Sequence, residues 1–292
     1  MSGENIFTGL TEEHDGDARW AFGTGFTEAL AGVDTTLPAG VDGADLATYC
    51  QMLGDDALVQ SQRLVQWVTD APELEEEVAL ANIALDLLGQ ARLLLARAGQ
   101  ADGTGRDEDA FAYHRDPAQF RNTHLTEAPR GDFARAIATL LVLSSWRLAV
   151  FTRLAHSKDP VLSAIAAKGV NELAYHREYA VSWALRLGDG TPYSNERMRE
   201  ALAHVWPLTG ELFATHPVEA ALAAQGVGVD PASVREEVHE VLTQVLTAAT
   251  LAAPEPFPES AVAGREGRHT SELAPLLEEL QRVAREHPEA TW

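Results

Sequence analysis

The fold is decided by residues 160–187, PVLSAIAAKGVNELAYHREYAVSWALRL, which form one predicted long helix. Lys168, Glu172 and His176 follow one another at steps of four residues, so they lie along one helix face. Four larger side chains lie on or beside this face: Ile165, Tyr175, Tyr179 and Trp183. The pattern predicts that the charged stripe packs inward. Because burying charge is costly, the stripe indicates a metal site, the remnant of one, or an internal ion pair.

Three further segments have the apolar spacing of long helices: residues 44–68, 73–98 and 132–156. Asp132 is in position to cap the third of them. Shorter helices are predicted at residues 194–215, with a bend near Pro207, at residues 231–251, and after the capping residues Thr270 and Ser271. No segment sustains the alternation of a strand. The chain is therefore predicted to be an all-α four-helix bundle with additional C-terminal helices.

The N-terminal segment differs in composition from the rest of the chain. Residues 1–43 are rich in Gly, Thr and Asp and have no sustained apolar period, although a few aromatic residues are scattered among them. Such a segment buries too little apolar surface to fold alone. We therefore predict a disordered N-terminal extension over residues 1–43 and a single helical domain over residues 44–292.

The composition narrows the range of functions. The 292 residues include 44 acidic and 22 basic side chains, which gives a formal net charge of −22. This charge argues against binding nucleic acid or an anionic membrane surface. Cys50 is the only cysteine, so no intrachain disulfide is possible and a reducing compartment is favoured. With no signal-peptide pattern and no uncharged segment of about 18 residues, we expect a cytoplasmic protein that does not span a membrane.

Long helical bundles host dinuclear metal sites, and the sequence can be tested against the ligands that such sites require. The site takes a Glu from each of two helices and a Glu-x-x-His motif from each of the other two. The second long helix offers Asp86, but Gly89 stands where the histidine is required. The fourth offers Glu172, but Tyr175 stands at the histidine position and His176 comes one residue late. Neither helix therefore carries the motif.

The third long helix lacks the required acid altogether, because no Asp or Glu occurs between Asp132 and Asp159. Two Glu-x-x-His matches do occur, at residues 236–239 and 266–269, but they lie outside the long helices and are interpreted as chance. We therefore predict an ion-pair or hydrogen-bond cluster in place of a metal, formed by Asp86, Lys168, Glu172 and His176. In this hypothesis the Lys168 ammonium supplies the countercharge that the carboxylates need.

The turn GREGRHT, residues 264–270, is a second candidate site. Arg265, Arg268 and His269 lie beside flexible glycines and lead into a predicted helix N-terminus. Such a turn suits an anion such as a phosphate. A helix-capping loop at a contact between subunits fits the pattern equally well.

Several segments, in order, carry a resemblance to a known family: LGDDALVQSQRL (53–64), APELEEEVALANIALDLLGQARLLL (71–95), RDPAQFRN (115–122), FTRLAHSKDPVLSAIAAKGVNELAYHREY (151–179) and GREGRHTSELAPLLEELQ (264–281). From about residue 45 to Trp292 the chain resembles the C subunit of the bacterial ring-1,2-phenylacetyl-CoA epoxidase. The resemblance implies a ferritin-like bundle that acts in aerobic phenylacetate degradation. Relatives can carry an acid near position 144, where this chain has Ser144.

The same resemblance implies the cofactors and partners. A sister subunit of the same fold would carry the di-iron centre and the substrate. Electrons would reach that subunit from NADPH through a separate reductase with flavin and iron–sulfur groups. This chain would hold no cofactor and would form a heterodimer, and a higher assembly, as a non-catalytic structural subunit.

Two rival functions stay open at this point. One is an enzyme that itself binds two metals and activates oxygen, with Asp55 or Asp56, Asp86, Glu172 and His176 as ligands. The other is a module that helps to hold the coenzyme A part of the substrate through Arg265 and Arg268.

Overall fold

The computed structural model describes Leu30, residues 32–252 and residues 255–290. The chain divides into two units after Val33, and the fold that follows belongs to the second, Asp34–Trp292. The prediction of a disordered extension over residues 1–43 falls mostly outside the described residues. Residues 34–42 form turns and bends that lead into the first helix. Asp42 caps that helix by accepting hydrogen bonds from the backbone N–H groups of Ala44 and Asp45.

Four long helices form the bundle. They are α1 (Gly43–Val65), α2 (Leu74–Ala101), α5 (Phe133–Leu154) and α6 (Pro160–Gly188). The helices α1 and α2 pack as one pair, α5 and α6 pack as a second, and α2 also contacts α6. No strand occurs in the described residues. The predicted all-α fold, a ferritin-like four-helix bundle with additional C-terminal helices, is confirmed.

Side-chain caps determine where the long helices begin. Asp132 accepts a hydrogen bond from the backbone N–H of Arg135, so α5 begins where the capping residue predicts. Asp159 caps α6 in the same way, and Pro160 occupies the first helical position, where no N–H is needed. The bounds of the long helices therefore differ from the prediction by only a few residues.

Six shorter helices complete the part of the chain that the structure describes. Two lie between α2 and α5, and four follow α6: α3 (Glu108–Tyr113), α4 (His124–Glu127), α7 (Pro192–Val205), α8 (Pro217–Ala224), α9 (Arg235–Ala248) and α10 (Leu273–Glu286). Single turns of 3₁₀-helix occur at Pro117–Gln119, Pro231–Val234 and Gly264–Glu266, and a longer one at Trp206–Phe213. The helices α7 and α9 pack on α5 and α6, α4 and α8 on α1, and α10 on α3.

The predicted helix over residues 194–215 is split in the structure. The α-helix ends at Val205 and continues as the 3₁₀-helix Trp206–Phe213. Pro207 explains the change, because proline has no N–H to donate and its ring crowds the preceding turn. The helix α8 has no counterpart in the prediction. Its eight residues are too few to establish a period by themselves.

Two bundle helices, α2 and α5, are long and apolar enough to cross a membrane by length and composition alone. Core helices of water-soluble bundles pass the same test. The most apolar window of α5 is 89% buried inside the protein, whereas that of α2 is 50% buried. The helix α5 is thus the central helix of the bundle, and α2 keeps one side uncovered.

Candidate functional site

A buried arginine lies at the centre of the four-helix bundle. Arg147 projects from α5 and is only 1% exposed. Its Nε donates a hydrogen bond to Gln90 Oε1 (2.9 Å), and its Nη1 donates to the backbone oxygen of Leu53 (3.0 Å). The guanidinium carbon lies 4.5 Å from the centre of the Phe151 ring, within the range of a cation–π contact. Burial lowers the pKa of Arg147 to about 10, so the side chain stays charged at neutral pH.

Gln90 on α2 extends this contact to the fourth helix. Its Nε2 donates to Glu172 Oε2 on α6 at 2.9 Å. A polar layer therefore has one member from each bundle helix: the backbone oxygen of Leu53 and the side chains of Gln90, Arg147 and Glu172. We call it the cross-bundle layer. Burial raises the pKa of Glu172, whereas the hydrogen bond from Gln90 opposes the shift. The layer thus holds a buried cation and a carboxylate that are joined through an amide.

A second pair lies one helical turn away. His176 is buried, and its Nε2 lies 3.0 Å from Asp86 Oδ2, which is partly exposed. This pair joins α6 to α2 beside the contact between Glu172 and Gln90. The structure therefore brings Asp86, Glu172 and His176 close to the α2–α6 contact, in the region that the sequence predicts.

The prediction that Lys168 is buried in this cluster is wrong. Its Nζ lies 3.7 Å from Glu172 Oε1, but its side chain is 53% exposed. The neighbouring Gly169 occupies the inward position on α6, where an added Cβ would lie 2.8 Å from the Phe151 ring. Because consecutive helical residues point in different directions, Lys168 is turned toward the surface. The buried cation at this level of the bundle is Arg147.

The buried acids of α1, Asp55 and Asp56, bind residues outside the four long helices. Asp55 accepts hydrogen bonds from Arg115 Nη1 (3.0 Å) and from the backbone N–H of Arg121 (2.8 Å). Asp56 accepts from the backbone N–H of Thr123 (2.8 Å) and from Arg265 Nη2 (2.7 Å). Both carboxylates therefore bind the segment between α3 and α4, and Asp56 also binds the turn before α10.

These residues do not fit the dimetal centre that a ferritin-like bundle can hold. The helix α5 contributes a guanidinium at the central level and no carboxylate. Both α1 acids are paired with buried arginines that come from segments other than the four long helices. A fixed positive charge at that level repels a dication. Within the described part of the chain, one group of three carboxylates is spaced closely enough for a metal, and it lies at the start of α2: Glu73, Glu75 and Glu76.

The predicted anion site in the turn 264–270 must be corrected for Arg265. Its side chain is buried, and besides Asp56 it donates to the backbone oxygens of Met52 and Arg121, both at 2.8 Å. All of these partners belong to the protein itself. A side chain held in this way cannot reach an external phosphate.

The other two residues of the predicted anion site, His269 and Arg268, are also bonded within the protein. The His269 side chain is 5% exposed, with Nδ1 2.6 Å from Glu127 Oε1 and Nε2 3.0 Å from the backbone oxygen of Phe120. Arg268 is exposed and pairs with Glu266 in the same turn. Thr270 donates to Glu127 through both its backbone N–H and its hydroxyl. Although burial opposes the change, the hydrogen bonds from His269 and Thr270 lower the pKa of Glu127. The turn therefore stabilises the fold through contacts with other segments of the same chain.

Sequence reasoning missed the two side chains that join the cross-bundle layer, those of Gln90 and Arg147. Arg147 had a detectable signal, because it is a single charge within the apolar run from Ala136 to Phe151. A charge at such a position must be satisfied inside the protein. Gln90 had no comparable signal, since its spacing from Asp86 does not match the metal-ligand pattern.

The comparisons with known proteins agree with this architecture. A family described as "Phenylacetic acid catabolic protein" matches residues 34–292. Over 249 residues the chain is 43% identical to the C subunit of the 1,2-phenylacetyl-CoA epoxidase from Escherichia coli (strain K12). That alignment covers 85% of this chain and 99% of the relative.

Proposed function

The chain belongs to the phenylacetic acid catabolic protein family, and we propose that it is the structural, non-catalytic subunit of a multicomponent 1,2-phenylacetyl-CoA epoxidase. Its place of action is the cytoplasm, in the aerobic degradation of phenylacetate. The relationship to the C subunit of such an epoxidase, over nearly the whole length of that relative, supports membership in the complex.

One observation supports the non-catalytic role above the others. At the level where a dimetal oxygenase needs a carboxylate from each helix, this chain has the Arg147 guanidinium. The chain therefore acts through its surface, by supporting a catalytic partner. That partner is a ferritin-like subunit that carries the di-iron centre and binds the aryl-CoA substrate. A separate reductase with flavin and iron–sulfur groups supplies it with electrons from NADPH.

The bundle offers a surface for this partner. Leu85 on α2 and Tyr175 on α6 are about half exposed, and they adjoin Asp86 and His176, which join the two helices. Two further exposed apolar residues lie on α2, Leu74 and Val78. We call these four apolar residues, Leu74, Val78, Leu85 and Tyr175, the α2–α6 surface. Exposed apolar side chains grouped on one part of a surface are typical of protein–protein contacts. A second helical bundle that packs on this surface would bury them.

The experiment compares the metal content of the two subunits. We expect this chain, purified alone from iron-supplemented cells, to contain only traces of iron. The catalytic subunit, prepared in parallel, serves as the positive control. About two irons per chain with an oxo-bridge absorption band would instead make this chain a dimetal protein and overturn the proposal.

A second experiment tests the supporting role directly. Co-expression of this chain with the catalytic subunit should yield a stable heterodimer on size-exclusion chromatography with light scattering. With the reductase present, epoxidation of phenylacetyl-CoA should require both subunits. Full activity and solubility of the catalytic subunit alone would contradict a supporting function.

A further inference from the structure

Arg147 differs from the other buried arginines of the described chain in how its charge is balanced. Arg97, Arg115 and Arg265 each form a direct ion pair with a buried carboxylate. Arg147 contacts an amide oxygen and a backbone carbonyl, and its Nη2 has no hydrogen-bond partner among the described residues. Its countercharges, Asp56 and Glu172, act on it from a distance. A direct ion pair therefore does not stabilise the buried charge of Arg147.

Arg147 lies at the level of the bundle where a dimetal centre would lie, and this position explains why a buried cation is present. A dimetal centre in a ferritin-like bundle is a positive charge that gathers ligands from all four helices. The guanidinium of α5 gathers an oxygen from α1 and an oxygen from α2, and through Gln90 it reaches the carboxylate of α6. Its planar, branched group donates in several fixed directions at once, which an ammonium group does not do.

We propose that Arg147 is a built-in cation that replaces the dimetal centre as the tie between the four helices, so that the bundle assembles and stays closed without metal. The role of Lys168 is peripheral, because that ammonium lies on the surface. This inference concerns the isolated chain and does not depend on the partner or on the reaction. Its failure would leave the proposed function standing.

The test is chemical rescue of Arg147→Ala. Removing the guanidinium leaves Gln90 Oε1 and the backbone oxygen of Leu53 without their donor in the interior. We expect the equilibrium constant for unfolding to rise by on the order of 100-fold or more. Methylguanidinium chloride at about 10 mM, far below denaturing concentrations, should then raise the midpoint of thermal unfolding of the variant and leave wild type unchanged. Urea at the same concentration lacks the charge and should have no effect.

Arg153→Ala is the matched control, because Arg153 is on the same helix but is partly exposed and pairs with Glu237. It should be nearly as stable as wild type and insensitive to methylguanidinium. If Arg147→Ala is as stable as this control, or if methylguanidinium does not stabilise it, the proposal is wrong.

Arg147→Lys keeps the test decisive if the alanine variant does not fold. The ammonium retains the charge but cannot reach the acceptors of α1 and α2 together. We expect this variant to be clearly less stable than wild type. A lysine variant equal to wild type would show that any cation is sufficient and would overturn the role of the guanidinium. Wild type should keep the same unfolding midpoint with and without a metal chelator, and a fall on chelation would contradict metal-independent closure.

Discussion

At the scale of single residues, exposure decides what Lys168 contributes. Its ammonium lies 3.7 Å from Glu172, but more than half of the side chain is in solvent. Exposed ion pairs within a helix are worth about 0.5 kcal/mol or less, because water screens the charges and the side chains lose freedom. Lys168→Met should therefore change the free energy of unfolding by no more than about 0.5 kcal/mol in urea titrations. A loss of about 3 kcal/mol would show that Lys168 is buried in solution.

Glu219 on α8 is predicted to make stability depend on pH. It is buried, accepts a hydrogen bond from the backbone N–H of His216 (2.8 Å), and faces Arg265, Asp56 and Asp230. Burial raises the pKa of Glu219 from 4.5 to about 7, although Arg265 opposes the shift. Because the folded state binds the proton more tightly, this contribution to stability is complete below about pH 4.5 and is lost as the pH rises through about 7.

The corresponding variant is Glu219→Gln, which keeps an acceptor oxygen and does not titrate. The stability of the variant relative to wild type should increase by up to about 3 kcal/mol between about pH 4.5 and about pH 8. Urea titrations of both proteins at the two pH values measure this difference. A difference that does not change with pH would show that Glu219 titrates normally.

Sequence reasoning predicts which residues share a face of α6 but not which of them point inward. Steps of four residues fix the neighbours along a helix, whereas the direction of the face depends on what the helix packs against. Close packing of Gly169 on Phe151 turns Lys168 outward, and that contact joins α6 to α5. Such contacts between distant segments cannot be deduced from local spacing.

At the scale of elements, a buried ion pair joins the turn before α10 to α1. Arg265 bonds to Asp56 at 2.7 Å, and both side chains are almost fully buried. Arg265→Met would leave the Asp56 charge without its partner inside the protein. The expected cost is about 3–5 kcal/mol of unfolding free energy. Amide hydrogen exchange in α10 should also accelerate, because the helix loses the fastening at its N-terminal side.

Arg268→Met is the matched control for this prediction. Arg268 lies in the same turn, is 61% exposed and pairs with Glu266. Its replacement should leave both stability and exchange in α10 nearly unchanged. If the two variants behave alike, the fastening does not depend on the buried ion pair.

The long helices could be predicted from the sequence, whereas the very short helix α4 could not, for a physical reason. Helices such as α5 and α6 repeat the apolar period over several turns and carry Asp caps at their starts. In contrast, α4 spans four residues, and its Glu127 is held by His269 and Thr270 from the far end of the chain. Such a short helix is stabilised by tertiary contacts that no local pattern records.

At the scale of the whole molecule, the interior holds charged side chains of both signs. The chain has a net charge of −22, yet four arginines of the described residues are buried: Arg97, Arg115, Arg147 and Arg265. These guanidinium groups hold helices and connecting segments together, so they are withdrawn from the surface. The same interior also holds buried carboxylates: Asp55, Asp56, Glu76, Glu127, Asp159, Glu211 and Glu219. Burial therefore removes charges of both signs from the surface, and the excess of acids that remains there disfavours contact with nucleic acid or anionic lipid.

The assembly prediction belongs to this scale, and it rests on the proposed function. Leu85 is 50% exposed on the α2–α6 surface, so replacing it with a charged residue should cost the isolated chain little. We expect Leu85→Glu to change the unfolding free energy by no more than about 0.5 kcal/mol. A charge buried in an apolar contact is unfavourable, so association with the catalytic subunit should weaken by about tenfold or more.

Val283→Glu provides the comparison, because Val283 on α10 is an apolar side chain of similar exposure, 47%, on another element. Both variants would be titrated against the catalytic subunit by isothermal calorimetry, with unfolding measured in parallel. Weakened association for Leu85→Glu alone would assign the partner to the α2–α6 surface. If Val283→Glu weakens association and Leu85→Glu does not, the partner binds elsewhere.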